Sequence, residues 1–184
     1  MYFILKNDIL MDNVFEINDP KDISDELRFM SGSAITLAVK NPLVFTTTAK
    51  QGDQLRDFDD RTIPLMSKRF LEIIQGAGVD NVQAFPVVIE SEVDGTKWGD
   101  YFAVNILGRI SCAELDKSEY TEIMPGHYRF RELAIDAEKT KGALLFRLQE
   151  HTPTILMHKT VGKYIIENDP EETLLGWDIG DVIQ

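Results

Sequence analysis

The chain has 184 residues, with 19 Lys plus Arg against 31 Asp plus Glu and a formal net charge of −12 at pH 7. Apolar residues make up 43% and charged residues 27%, the mix of a globular chain long enough to bury a core. No run approaches the roughly 18 apolar residues of a membrane helix. The excess of acid repels phosphate backbones, which argues against direct nucleic-acid binding.

Cys112 is the only cysteine, so neither an intrachain disulfide nor a Cys-based zinc cage can form. The opening MYFILKNDILMDNVFE has no basic n-region and no small-residue cleavage site, and a cytoplasmic protein is expected. With no long linker in the sequence, one domain over residues 1–184 is expected, residues 1–42 being its less typical part. The acid is placed unevenly. From Glu167 onward, Glu167, Asp169, Glu171, Glu172, Asp178 and Asp181 meet no basic residue. Such a face serves solubility, or attracts a basic protein.

In chain order, YFILK reads as an opening strand and Asn13–Ile17 as a second. Residues 19–32 read either as a helix capped by Asp19, with Ile23, Leu27 and Met30 on one face, or as a short strand before Gly32. NPLVFTTT is a β-branched strand after a Pro turn, and AKQGDQLRDFDDRTI is a polar loop or a poor short helix. Leu65, Met66, Arg69, Phe70, Ile73 and Ile74 recur at helical spacing and predict a helix that Gly76 ends. VDNVQAFPVVIE follows as a strand, its Pro86 suggesting an edge or a strand end. A phosphate loop runs strand, glycine, helix; here Gly76 and Gly78 follow a helix, where free carbonyls repel phosphate. The Gly-x-Gly is a stop signal.

Asp94-Gly95 predicts a hairpin turn, Tyr101–Ile110 a long strand and HYRFRELAI another. ALLFRLQEHTPTILMHK reads as two strands joined around His151–Pro153, KTVGKYIIEN as a short helix, and LLGWDIGDVIQ closes the chain. Strands outnumber helices without regular alternation. An α+β fold is expected, a mainly antiparallel sheet with a few packed helices.

The three histidines, His127, His151 and His158, form no close metal-ligand pair, and no metal site is expected. Cys112 reads as a small buried filler. SGSAI is not a nucleophile elbow, and Trp98, Trp177 and Tyr101 fit a core, an interface or a ligand pocket. No catalytic signature emerges.

Five stretches in order carry a resemblance: LRDFDD, PLMSKRFLEIIQGAGVDNVQAFPV, YFAVNILGRISCAELDKSEY, LLFRLQEHTPTILMH and LLGWDI. Together the chain from about Leu43 onward resembles the bacterial immunity-protein family of polymorphic toxin systems. The residues before it match weakly. The resemblance implies a small cytosolic protein encoded beside a toxin, which it binds tightly to block the active site or substrate surface. It implies no catalytic residue and no cofactor. Charge agrees with it independently, because an acidic inhibitor suits a basic, phosphate-holding toxin. The expected partner-binding residues lie in the acidic loop, as Asp57, Phe58, Asp59 and Asp60, and in the acidic tail, as Glu171, Glu172, Trp177 and Asp178. Phe58 or Trp177 would be the apolar anchor. Two other classes fit the composition: a hydrolase reversing a toxin-made modification through an acid and a histidine, and a small-molecule sensor using the Trp residues.

Overall fold

The computed structural model describes residues 1–8, 10–11, 15–20, 29–61 and 63–184. Strand occupies 43% of it and helix 15%, in three sheets with two α-helices among the described residues. This corrects the α+β expectation to a β-rich fold. The sequence hid the excess because many strands are two or three residues long, fixed by distant partners rather than by local pattern. Among them are β2 (Ile17–Asn18), β4 (Phe58–Asp59), β5 (Leu65–Ser67) and β8 (Arg109–Ile110).

A six-stranded sheet runs in the order β2, β3 (Leu43–Thr47), β6 (Val82–Ser91), β7 (Lys97–Ile106), β5, β4. A five-stranded sheet runs β13 (Trp177–Gly180), β1 (Tyr2–Asn7), β12 (His151–His158), β11 (Leu145–Leu148), β8. The third sheet is a lone hairpin of β9 (Glu119–Met124) and β10 (His127–Glu132). Pairing is mostly antiparallel, but β3 runs parallel to β6 and β8 parallel to β11.

Period-2 alternation along the strands sorts side chains into separate cores. From β12, Ile155 and Met157 join a cluster with Phe58, Phe70, Val104 and Ile165 that ties both large sheets to both helices. Leu156, between them, turns to the opposite face with Tyr2, Cys112, Phe146 and Leu148. Tyr101 and Ala103 of β7 likewise face a second cluster around Phe29, Phe45 and Ile89.

Several sequence expectations are refined. Leu65 and Met66, read as the first helical turn, lie in β5, and the helix α1 is Lys68–Gly76. Ser67 caps it, its Oγ accepting from Phe70 N–H at 3.1 Å. Gly76 stays helical: a Cβ there would stand 2.9 Å from the Tyr164 hydroxyl, so glycine admits the second helix, α2 (Lys159–Asn168), close to the first. The left-handed residue is Gly78, at φ +97°. Pro86 sits mid-strand in β6. Pairing with β3 begins at Val87, so on that side Pro86 is locally an edge and its missing N–H costs no bond.

The expected long strand Tyr101–Ile110 breaks at Leu107 and Gly108, its end crossing to the other sheet as β8. The turn between β11 and β12 falls at Gln149 and Glu150 rather than around His151–Pro153. Of the expected strand Asn13–Ile17, only Ile17 is in a strand; Asn13 and Val14 lie outside the described residues, as do Lys21–Arg28 of the ambiguous segment 19–32.

Gly176 is a tightly enclosed turn glycine. It has φ +83°, and a Cβ would meet the Arg56 side chain at 2.7 Å and the Phe58 carbonyl at 3.0 Å. Gly95, at φ +75°, has nothing within 4 Å of that position. Gly95→Ala is expected to cost only the left-handed penalty of about 1–2 kcal/mol, and Gly176→Ala a further 1–3 kcal/mol or so from overpacking. Urea denaturation of the two variants measures the difference.

Candidate functional site

The eight residues singled out in the sequence divide sharply in the fold. Phe58 is fully buried and stacks on Phe70, ring centroids 5.4 Å apart. Asp59 is 3% exposed; its carboxylate accepts from the Arg61 guanidinium at 3.1–3.2 Å and from Arg61 N–H at 3.1 Å. Asp57 accepts from the Ser67 hydroxyl at 2.5 Å and from Leu175 N–H at 2.8 Å. The acidic loop therefore spends most of its polar capacity inside the molecule.

Asp60 is half-buried in a charged cleft of about 420 Å³ with Lys6, Asn7, Arg56 and Arg61. Burial pushes its carboxyl above the usual range, the Asp59 carboxylate adds to this, and hydrogen bonds and Arg147 oppose it. Arg147 is itself buried, which lowers its guanidinium to about 10; its Nη1 donates to the Thr152 carbonyl at 2.7 Å.

The tail residues take up a different surface. Glu171 and Glu172 are exposed and have no basic partner among the described residues, whereas Asp178 is paired with Lys6 at 3.1 Å. Trp177 is half-buried and packs tilted against Phe70, ring centroids 6.1 Å apart. Its other side lines a groove of about 450 Å³ between helix α2 and the edge strand β13, open to solvent along one side. Phe3, Gly162, Ile166 and Ile179 complete the apolar lining. Lys159, Lys163 and Glu167 form its rim, with Lys163 and Glu167 3.4 Å apart. Ile166 is 61% exposed and Ile179 39%.

The fold thus brings Trp177 and Asp178 to this groove's strand, with Glu171 and Glu172 in the loop between α2 and that strand. It leaves Asp57, Phe58, Asp59 and Asp60 elsewhere. Sequence reading missed Ile166 and Ile179. A signal existed for the first: Val161 and Ile165 form the buried stripe of α2, and Ile166, one residue on, lies about 100° round the helix.

The chemistry-bearing groups are occupied with structure. Burial pushes the Cys112 thiol up to about 12. His151 and His158 are lowered by burial first and by neighbouring positive charge second. Their Nδ1 atoms meet Thr154 and Thr160 hydroxyls at 2.8 Å, and His158 caps α2. None of the three histidines lines the groove or the charged cleft. Among the described residues no three His, Cys, Asp or Glu side chains form a set that could hold a metal ion.

The sequence matches the immunity protein family Imm11 over residues 5–182. The chain belongs to that family. The match takes in the groove residues of α2 and β13 and the second half of β1, and so extends the likeness into the first forty or so residues, where the motifs are weakest. Membership of Imm11 carries a toxin-immunity role with it. No curated protein matches the sequence.

The groove wall depends on Asp169, at the end of α2. It is buried and accepts from Arg69 of α1 at 2.5 Å, the Thr173 hydroxyl at 2.6 Å and Leu174 N–H at 2.7 Å. Burial alone would raise its carboxyl; these bonds and the nearby guanidinium outweigh burial and hold it below the usual range. A depressed folded value contributes stability that is present above the unfolded value of about 4 and lost as pH falls through the folded one. Asp169→Asn is expected to cost about 1–3 kcal/mol at pH 7. Its deficit relative to the unaltered chain should shrink on acidification below pH 4 or so, as followed by thermal unfolding across pH.

Proposed function

We propose that this chain neutralises a secreted toxin of its own cell lineage, binding the toxin domain tightly and covering its active site or substrate surface. The observation that carries this reading is the family match across nearly the whole chain. The charge supports it: a body at −12 attracts a basic domain over long range and speeds encounter. The chain acts in the cytoplasm, by shape and charge rather than by turnover.

The test uses the toxin domain encoded in the reading frame beside this one. A one-to-one complex with nanomolar or tighter affinity is expected by calorimetry, along with rescue of cells expressing the toxin. The association rate should fall at least about tenfold between low and 0.5 M salt if acid steers a basic partner. No complex at micromolar concentrations, or catalytic loss of a substrate at a point-mutable site, would refute the reading.

A further inference from the structure

We infer that the groove between α2 and β13 is the toxin-docking site, and that its occupant is an amphipathic segment of the toxin with an apolar stripe and a basic end. The inference rests on the neutralising role proposed above and names the surface that performs it.

The groove's apolar lining sets the first requirement. Ile166 of α2 and Ile179 of β13 expose large aliphatic side chains to the groove, and Trp177 and Phe3 share the lining. Gly162 lines the groove without a side chain, and a Cβ there would stand 3.3 Å from the buried Met157 side chain, so glycine lets α2 lie close on β12. Apolar walls around about 450 Å³ accept two or three aliphatic or aromatic side chains. Lys159 and Glu167 bracket the groove along α2, eight residues apart and therefore about 12 Å. That length matches two turns of a docked helix or four residues of a strand.

Charge sets the second requirement. Lys159 stands at the helix start, where the dipole is positive, and Glu167 in its last turn, where it is negative. Lys163 is held by Glu167 at 3.4 Å, so that pair adds little net charge to the rim. Beyond Glu167 come Glu171 and Glu172, exposed and without a cation among the described residues. The complementary segment places its basic residues over that end and an acid or a neutral residue over Lys159. Glu172 adds an independent sign: it holds φ at +51°, a conformation glycine adopts more cheaply. An exposed acid kept at a strained position in the loop that joins the groove's helix to its strand fits recognition.

The competing surface is the hairpin β9–β10, whose tip residues Ile123 and Met124 are also exposed. Its charges are nearly balanced, Glu119, Glu122 and Glu132 against Arg129 and Arg131, with Glu119 already joined to Arg131 at 3.1 Å, so it offers a basic partner little net attraction.

The experiment measures affinity for the neighbouring toxin domain by surface plasmon resonance. The double variant Ile166→Ser, Ile179→Ser alters only exposed side chains and is expected to bind at least tenfold more weakly, with an unchanged melting temperature. Ile123→Ser with Met124→Ser should stay within twofold of the unaltered chain. Glu172→Gly separates recognition from architecture: it should melt at an equal or higher temperature yet bind more weakly. If the unaltered chain binds and the groove variants bind equally well, the groove is not the site, while the neutralising role stands. If the hairpin variant loses affinity instead, the assignment passes to that surface. Failure of the unaltered chain to bind at all removes both.

Discussion

A carboxylate at position 57 holds the C-terminal part of this molecule in place. Asp57 uses one oxygen for the Ser67 hydroxyl and the other for the Leu175 amide, while its own N–H reaches the Leu175 carbonyl at 2.8 Å and its carbonyl accepts from Ser67 N–H at 2.8 Å. Ser67 in turn caps α1. One side chain therefore joins β4, the start of a helix and a segment 118 residues away. Asp169 repeats the device from the other end, tying α1 through Arg69 to the turn that follows α2. Between these two anchors the chain is led past Gly176 into β13, and only then does Trp177 stand opposite α2. Charged groups engaged in this way are costly to leave unpaired, so the arrangement is specific as well as stabilising.

Much of the architecture was legible where local chemistry decides it. The Asp94-Gly95 turn, the β-branched run at Leu43–Thr47 and the apolar period of α2 each declare themselves within a few residues. The strands that went unread are those whose identity is conferred from afar. Phe58–Asp59 is a strand because Leu65 and Met66 lie beside it. Glu119–Met124 is exposed along its entire length and so has no alternation to detect. Leu65 and Met66 carry helical spacing by coincidence; Ser67, with its free hydroxyl three residues before Phe70, was the better marker of where the helix begins.

The surface was harder to read than the fold. In sequence, Asp57, Asp59, Glu171 and Glu172 are equivalent acids in polar stretches. In space the first two are consumed by Ser67, Leu175 and Arg61, and the last two are exposed with no basic partner among the described residues. The difference lies in which partners the fold turns toward them, from Arg61 two residues on to Leu175 at a separation of 118, which composition cannot supply. Ile166 and Ile179 pose the inverse problem, since an isoleucine is ordinarily read as core. Their exposure follows from helix rotation and from strand β13 ending a sheet, facts available only once the topology is fixed.

The position of β1 has a kinetic consequence. It is flanked by β12 and β13, so Tyr2 waits for His158, and Asn7 for Trp177. Long-range closures of that kind slow folding, typically into the millisecond-to-second range. On a ribosome adding about 5–20 residues per second, the nascent YFILK segment stays unmated for on the order of ten seconds. Until its sequence-distant neighbours emerge, this apolar ribbon is open to chaperones and to aggregation. The five-stranded sheet can close only after β13 has been translated, so the lifetime of the open ribbon is set partly by elongation speed.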